Sequence, residues 1–587
     1  MMKVSLQTRF QRSRAPGRLV SGVLIGLLAI LVIAPLMTLV YASLVSALPF
    51  TGEINAQWTL ANYSDVWTRE LSAAIVNTLI ITTGGGAIAM LFGGGLAWLV
   101  TRTDLPGKWF ANLVAVMPLF VSLLVASVAW SLLASGDSGY LNLLLAAANI
   151  SLRVDIQSLA GVAFLYGIYY APYPYLFISG ALMLVNSELE EAAAVHGATM
   201  SRILRRVTFP LVRPAIIGST MLILVLMIED FPVPQLLIAP VGVETLSIRI
   251  YHLVSRSPAH PNQAAALSVF LCLFVVIFTY VQRTVLLGRD YRTVTGKGMN
   301  IRPVRLGLLR FAALGLIALY AICAVALPLF ALFEAAFRRN LFVADFGSLF
   351  DPAQFSFVNM SRSLASSAVH DGLLNSLIAA GITASLGTTF FFLLAYVVAR
   401  TRLPGRGLME YLAMVPLALP ALVMGLGILW TWVAVPLPVY GTMAILIIAF
   451  VTRFLPQGFK AVSASISQVH EDLEQAAMVA GATPFKALRR IVFPLVRPGI
   501  VSAAFLVFIL SLRELTASLF LYTTNTRMLS IVIFEAYENG SWGAVASISL
   551  IYTSILIVLT LLGRRWMGVS LSQSAIGTGS TSGVTQR

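Results

Sequence analysis

The chain has 587 residues, of which 58% are hydrophobic and only 11% are charged, and its mean hydropathy is +0.88. A soluble protein carries about 25% charged residues, so the composition excludes a soluble enzyme or binding domain and predicts a membrane protein with several spans. The net charge of +15 does not indicate nucleic-acid binding, because Lys and Arg also collect in the cytoplasmic loops of membrane proteins.

Twelve apolar segments approach the length of about 20 residues that a helix needs to cross a bilayer. A basic stretch precedes the first of them, which predicts a cytoplasmic N-terminus and an uncleaved span rather than a signal peptide. In the first half of the chain the segments cover residues 19–45, 73–100, 110–134, 159–183, 214–237 and 264–281. In the second half they cover residues 311–335, 372–398, 409–433, 442–462, 498–521 and 543–562.

The charges of the loops agree with this order of spans. Arg and Lys concentrate in the loops assigned to the cytoplasm, and the outer loops are mixed; Arg338 and Arg339 are an exception, because they fall outside. Six spans are an even number, so both halves enter the membrane from the same side. The sequence therefore predicts two parallel repeats of six helices.

Small and polar residues in the second span of each half are expected to serve helix packing. The glycine runs at 84–86 and 93–95 would let neighbouring helices approach closely. Asn77 and Asn375 open the second span of each half, where each could hydrogen-bond to a neighbour.

One polar segment occurs twice. Residues 191–214, EAAAVHGATMSRILRRVTFPLVRP, recur as residues 475–498, QAAMVAGATPFKALRRIVFPLVRP, which indicates an internal duplication. In the first copy we expect a short helix, a sharp turn at Gly197, and a second helical piece that stops at Pro210 and Pro214.

This pattern resembles the coupling loop of binding-protein-dependent ABC transporter permeases. The matching residues are Glu191, Ala192, Ala193, Gly197, Val207 and Pro210 in the first copy, and Ala476, Ala477, Gly481, Ile491 and Pro494 in the second. Gln475 stands where the acid is expected, and Glu474 precedes it. An ordinary amphipathic loop explains one such match, but not two matches at equivalent positions of a duplicated membrane chain.

The resemblance implies an all-α polytopic membrane protein with about twelve transmembrane helices in two parallel six-helix repeats, as in type I ABC importers. The first permease domain would cover residues 1–281, with its coupling loop at about 184–213. A basic cytoplasmic linker would follow at 282–308, then a second permease domain at 309–566 with its coupling loop at about 463–497. Residues 567–587 are expected to form a disordered cytoplasmic tail.

The resemblance also implies partners and a place in the cell. Two ABC ATPase subunits, as a homodimer, would bind the cytoplasmic face, and a periplasmic or lipid-anchored solute-binding protein would deliver the solute. The chain would lie in the inner membrane with both termini in the cytoplasm. No phosphate-binding loop of the form G-x-x-x-x-G-K-[ST] and no metal-ligand spacing of His occur, so neither an enzyme nor a cofactor is expected.

Ionisable residues fall inside two predicted spans, where charge is costly and usually faces a polar interior. Aligning the repeats places Asp230 on Glu514 and Glu229 on Arg513. Two interpretations remain open. The two acids could line a translocation path or gate and favour a cationic solute, or they could form structural pairs, for example Glu229 with Arg513.

The solute is predicted by the resemblance alone. Single-chain permeases with twelve spans resemble the ferric-iron import group, to whose eleventh helix Arg513, Glu514 and Leu515, together with Leu519, are similar. Thiamine, phosphonate and polyamine permeases share the layout. An ATP-independent secondary transporter would share the topology but would not need the repeated loop, and a membrane enzyme would need a polar catalytic cluster that the sequence lacks.

Overall fold

The computed structural model describes residues 14–47, 57–185, 187–287 and 303–567. Within these ranges the chain is almost entirely helical, and its extended pairing is limited to the isolated bridges Val45–Trp58, Thr103–Val304 and Arg338–Phe355. The predicted all-α fold is confirmed. Most of the predicted basic linker, residues 288–302, and nearly all of the predicted tail lie outside the described residues.

The helices follow in chain order. The α-helices are Arg14–Leu28, Ala34–Ser43, Ala61–Val66, Arg69–Arg102, Lys108–Val116, Leu123–Ala134, Tyr140–Ala147, Leu159–Tyr170, Pro172–Leu184, Ser187–Val195, Met200–Ile203, Phe209–Glu229, Pro232–Leu237, Leu246–Ser255, Pro261–Leu287, Leu309–Ala321, Leu327–Ala336, Val358–Ala365, Ser367–Ile382, Thr388–Arg400, Arg406–Met414, Ala421–Ala434, Met443–Ser467, Glu471–Val479, Pro484–Ala487, Phe493–Leu512, Leu529–Glu538 and Trp542–Met567. The π-helical turns are Ala29–Ile33, Leu204–Thr208, Ile322–Ala326, Thr383–Gly387 and Leu488–Val492. The 3₁₀ turns are Met117–Phe120, Ala239–Val241, Gly347–Phe350, Pro352–Gln354, Val415–Ala418 and Thr524–Thr526.

Several predicted spans are broken rather than straight. Nine helices in the described ranges are long and apolar enough to cross a membrane, or eleven if two bent pairs each count as one span. The bent pairs, Lys108–Phe120 with Leu123–Ala134 (99°) and Arg406–Ala418 with Ala421–Ala434 (113°), correspond to the predicted third and ninth spans. The predicted fourth span is two helices that meet at Ala171, where Pro172 interrupts the helical hydrogen bonds.

Proline does not end the helices that contain the repeated segment, so the predicted stop at Pro210 and Pro214 is wrong. Helical structure continues from Met200 to Glu229, and a π turn ends two residues before Pro210. Pro35, Pro328 and Pro494 also lie two residues after the end of a π turn. Proline cannot bond to the carbonyl four residues back, and its ring crowds that carbonyl, so the wider turn accommodates it without breaking the helix.

The structure divides into two compact units that do not follow the sequence halves. One comprises the described residues within 1–68, 250–275 and 365–535, and the other comprises those within 69–249, 276–364 and 536–587. We call them the second-elbow unit and the first-elbow unit, after the copy of the repeated segment that each contains. Each unit combines the central helices of one repeat with terminal helices of the other, whereas the sequence division at 1–281 and 309–566 follows the repeats alone.

Close contacts in each unit hold these terminal helices in place. In the second-elbow unit, the helix Ala34–Ser43 packs on Ala421–Ala434, where Gly427 leaves no room for a side chain beside the carbonyl of Pro35. In the first-elbow unit, the helix Leu327–Ala336 packs on Leu123–Ala134 and on Trp542–Met567. Each unit therefore depends on packing between distant parts of the sequence.

Arg338, an exception to the charge pattern of the loops, is neutralised inside the first-elbow unit. Its side chain is 3% exposed and forms an ion pair of 2.5 Å with Glu334. Tyr140 donates a hydrogen bond of 2.6 Å to the same carboxylate, and Arg338 also donates to the carbonyl of Ser348. Because the charge of Arg338 is paired with Glu334 inside the fold, it says little about which side of the membrane this loop lies on.

Candidate functional sites

Both copies of the repeated segment form a helix–turn–helix that we call the first elbow (residues 187–208) and the second elbow (residues 471–492). In the first elbow, the helix Ser187–Val195 contains Glu191, Ala192 and Ala193 and ends at Gly197, whose φ is +78°. The amide of Gly197 bonds to the carbonyl of Ala194, and the amide of Ala198 bonds to that of Ala193. This is a Schellman motif, which needs a left-handed residue at the position of the glycine.

The second elbow repeats this geometry. The helix Glu471–Val479 contains Gln475, Ala476 and Ala477, and Gly481 has a φ of +88°. The amide of Gly481 bonds to the carbonyl of Met478, and the amide of Ala482 bonds to that of Ala477. The two elbows thus share one backbone fold although many of their side chains differ.

The elbows present small and apolar side chains to the outside. Val195 is 86% exposed and Val479, at the equivalent position, is 83% exposed. Glu191 and Gln475 are exposed as well, together with Ala192 and Ala476, and so are Pro210 and Pro494, which follow the elbows. The equivalent exposure of Val195 and Val479 gives the two elbows matching apolar tips.

An arginine that sequence reasoning missed anchors each elbow. In the first-elbow unit, Arg102 is 3% exposed, forms an ion pair of 3.2 Å with Glu190, and donates to the carbonyls of Leu182 and Val185. Thr208 donates a bond of 2.6 Å to the other oxygen of Glu190. Arg102 therefore joins the end of one long helix to the end of another and to the elbow.

Arg400 does the same in the second-elbow unit. It is 6% exposed, lies 3.5 Å from Glu474, and donates to the carbonyls of Ile466 and Val469. Glu471 lies 3.4 Å from the same guanidinium, and Tyr396 donates to Glu474. Glu474 is therefore the structural counterpart of Glu190, and Gln475 is the counterpart of the exposed Glu191. The signal in the sequence was the pair of Arg-Thr-x-Leu-Pro-Gly segments at 102–107 and 400–405.

The acids predicted to lie inside spans are located at the ends of helices instead. The helix Phe209–Glu229 stops at Asp230, whose carboxylate accepts bonds from the hydroxyl of Tyr166 (3.1 Å) and from the amide of Val233 (3.2 Å). The helix Phe493–Leu512 stops before Glu514, whose carboxylate accepts a bond of 2.9 Å from the amide of Ala517. Both carboxylates accept a bond from the amide three residues further on.

Glu229 and Arg513 occupy equivalent positions next to these acids. Glu229 is 7% exposed and belongs to the first-elbow unit, and Arg513 is half-buried in the second-elbow unit. The pairing of Glu229 with Arg513 remains a prediction. In the part of the chain that the structure describes, no group of three or more His, Cys, Asp or Glu is placed to hold a metal ion.

Comparison with known proteins agrees with the duplicated architecture. Residues 85–292 and 392–570 match the family model described as the inner membrane component of binding-protein-dependent transport systems. The ferric transport system permease protein FbpB of Actinobacillus pleuropneumoniae is 28% identical over 83% of this chain and 69% of its own length. A putative ferric transport permease, FbpB 1, of Haemophilus influenzae is 27% identical over 78% of this chain and 71% of its own length.

A shorter relative covers about one repeat. The putative 2-aminoethylphosphonate permease PhnV of Salmonella choleraesuis is 30% identical over 34% of this chain and 78% of its own length. The family model, in contrast, matches most of the chain and does so twice, once around each elbow. The chain therefore belongs to the family of inner membrane components of binding-protein-dependent transport systems and is an ABC importer permease with two copies of the family domain.

Proposed function

We propose that this permease carries ferric iron across the inner membrane, that a solute-binding protein delivers the iron, and that two separate ATPase subunits drive the transport. The observation that carries the proposal is the pair of elbows with the same backbone geometry and the same exposed apolar tip. Two equivalent elbows on one chain would provide one binding site for each of two like ATPase subunits. In this proposal both elbows and both termini are cytoplasmic.

The elbows support ATPase binding by their shape and by their anchors. Val195 and Val479 offer one apolar side chain each to a partner groove, and the Ala residues behind them allow a close approach. Arg102 and Arg400 tie the elbows to long helices, so that force applied to an elbow reaches the rest of its unit. ATP can shift the permease between states only if the ATPases bind the elbows differently in each state.

Ferric iron is the solute that the relatives favour. The two ferric relatives match over roughly four fifths of this chain, so they share its fused layout. The phosphonate relative matches one third of it. A phosphonate is the second candidate, because that shorter match is slightly more identical.

We assign to Asp230 and Glu514 the role of positioning the chain segments that follow them, rather than of binding metal. Each carboxylate accepts a backbone amide bond and so fixes the short segment that follows a long helix. A permease needs to release its cargo, and tight coordination would oppose release. With Glu229 and Arg513 these acids would shape the path without holding iron.

Reconstitution tests the proposal. The chain is placed in liposomes with candidate ATPases, the solute-binding protein and radiolabelled ferric iron, and uptake is measured with ATP and with a non-hydrolysable analogue. We expect uptake only with ATP, and no competition from 2-aminoethylphosphonate. Uptake that persists without ATP would overturn the importer assignment, and competition by phosphonate would overturn the choice of solute.

A further inference from the structure

The second long helix of each repeat is tied at both of its ends. We call Arg69–Arg102 the first rod and residues Ser367–Arg400 the second rod. At one end, Arg102 and Arg400 bind the elbows through Glu190 and Glu474. The contact of Arg102 is a hydrogen-bonded ion pair of 3.2 Å, and that of Arg400 is an ion pair of 3.5 Å.

Near the opposite end of each rod, a side-chain amide and a hydroxyl on adjacent residues bond to the backbone of a later segment. In the first rod, Asn77 donates to the carbonyl of Glu244 (3.0 Å), and the hydroxyl of Thr78 accepts from the amide of Leu246 (3.1 Å). Thr78 and Leu246 are each 3% exposed. The predicted bonding of Asn77 to a neighbour is thereby confirmed.

The second rod has the same two ties at matching positions. Asn375 donates to the carbonyls of Asn525 and Arg527, at 3.1 and 3.0 Å. The hydroxyl of Ser376 accepts a bond of 2.8 Å from the amide of Leu529. The predicted neighbour of Asn375 is thus confirmed as well.

One further bond in each unit connects this end of the rod to an acid. Ser247, next to Leu246, donates a bond of 2.8 Å to the carbonyl of Asp230. Ser530, next to Leu529, donates a bond of 2.8 Å to the carbonyl of Glu514. A continuous path of a helix and hydrogen bonds therefore runs from each elbow to the break that carries the acid.

We propose that each rod transmits the displacement of its elbow to the segment that contains Asp230 or Glu514, with Arg102, Arg400, Thr78 and Ser376 as positioning residues. This inference rests on the proposed function, because the ATPases supply the displacement. The ties are about 25 residues apart, which is roughly 38 Å along a helix. Where the helix between the two ties does not bend, a shift at the elbow appears at the acid.

The two rods differ in one respect. The first is α-helical throughout, whereas the second contains the π turn Thr383–Gly387 between its two ties. Because π turns are sites where helices bend, the second rod transmits displacement less directly. Variants in the first rod are therefore expected to have the larger effect.

Removing the hydroxyl ties tests the inference. The variant Thr78→Val with Ser376→Ala removes the hydroxyl tie of each rod and leaves the Asn ties and the elbows unchanged. The control Thr82→Val with Ser385→Ala removes hydroxyls on the same helices that bond to carbonyls of their own helix. The rescue Thr78→Ser with Ser376→Thr keeps a hydroxyl at both positions.

The readouts are ATPase co-purification and the amount of iron taken up per ATP hydrolysed. We expect co-purification to be unchanged and uptake per ATP to fall at least about fivefold, the lower range of coupling between distant sites. The control and the rescue variants should behave like the parent chain. If the first variant is poorly recovered, Asn77→Ala with Asn375→Ala removes the neighbouring ties and should give the same loss.

Two outcomes overturn the inference, and they are distinguishable. Uptake per ATP equal to that of the control shows that the rods do not transmit displacement, although the proposed function stands. Uptake by the parent chain that does not require ATP overturns the proposed function, and the rod inference with it.

Discussion

Arg102 and Glu190 form an ion pair of 3.2 Å between the end of a long helix and the first elbow, and Arg400 repeats it with Glu474 in the second elbow. Neither arginine is more than 6% exposed. Charges this deep are retained only when their partners are well placed. The elbows are therefore fixed parts of their units rather than independent surface loops.

Replacing Arg102 should destabilise the protein. Arg102→Ala leaves Glu190 without its counter-charge and exposes the carbonyls of Leu182 and Val185 to an unfilled space. Removal of one partner of a buried pair costs about 3–5 kcal/mol. The thermal unfolding midpoint of the purified chain in detergent measures the change.

Arg153→Ala is the matched control for this prediction. Arg153 lies 3.1 Å from Asp137, but the two side chains are 56% and 87% exposed. Exposed pairs contribute about 0–1 kcal/mol. Equal shifts of the unfolding midpoint for the two variants would show that the pair of Arg102 and Glu190 has no special structural role.

The positive φ of Gly197 predicts a graded series of substitutions. A Cβ at this position meets no atom within 4 Å, so conformation rather than space limits the replacement. Asn tolerates a left-handed conformation, a β-branched residue does so poorly, and Pro cannot adopt it at all. Binding of the ATPases should fall in the order Gly197→Asn, Gly197→Val, Gly197→Pro, with the chain still inserted in the membrane.

The same series at Gly481, whose φ is +88°, provides an internal repeat of this experiment. Pull-down of tagged ATPases from solubilised membranes is the readout. Gly218→Ala, on the spanning helix Phe209–Glu229 where a Cβ also meets no atom, is the control and should bind normally. Normal binding by both Gly197→Pro and Gly481→Pro would contradict the docking role of the elbows.

Two glycines of the first rod should respond to Ala in opposite ways. A Cβ on Gly93 would collide with the carbonyl of Ala171 and approach Pro174, whereas a Cβ on Gly95 meets nothing within 4 Å. Gly→Ala in an open helical position gains about 0.5–1 kcal/mol, while overpacking costs about 1–3 kcal/mol. Unfolding midpoints should therefore fall for Gly93→Ala and rise slightly for Gly95→Ala. A fall of the same size for both would refute this packing.

Tyr140→Phe tests the buried cluster around Glu334. The substitution removes a hydrogen bond of 2.6 Å to a carboxylate that keeps its ion pair with Arg338. Loss of a hydrogen bond to a charged group costs about 1.5–3 kcal/mol. The control Tyr411→Phe changes a side chain that is 67% exposed and should leave the unfolding midpoint unchanged. An unaltered midpoint for Tyr140→Phe would mean that this bond does not stabilise the unit.

The repeated sequence predicted the elbows well because glycine and the small residues act locally. The left-handed turns at Gly197 and Gly481 follow from residues within one helical turn, and the long apolar segments predicted the spanning helices. The anchors were missed because Arg102 lies 88 residues from Glu190. No neighbouring residue in the sequence indicates a pair so far apart, although both arginines begin the repeated Arg-Thr-x-Leu-Pro-Gly segment.

The rules for proline and hydropathy predicted some helix ends wrongly, because tertiary packing determines where those helices end. Pro210 was expected to stop a helix that a π turn carries through. The spans expected to extend past Asp230 and Glu514 end before them, and each acid accepts a bond from the amide three residues further on. The assembly of each compact unit from both repeats could not be predicted either, because it depends on packing such as that of Gly427 on Pro35.

Cross-linking of both elbow tips tests the account most directly. Val195→Cys and Val479→Cys are made separately in a chain whose Cys272 and Cys323 are replaced by Ala, and each is assembled with ATPase subunits that carry a cysteine in their permease-binding groove. We expect both tips to form a cross-link to an ATPase and both to be labelled by a membrane-impermeant thiol reagent only from the cytoplasmic side. Labelling of the two tips from opposite sides of the membrane, or no cross-link at either tip, would contradict the account.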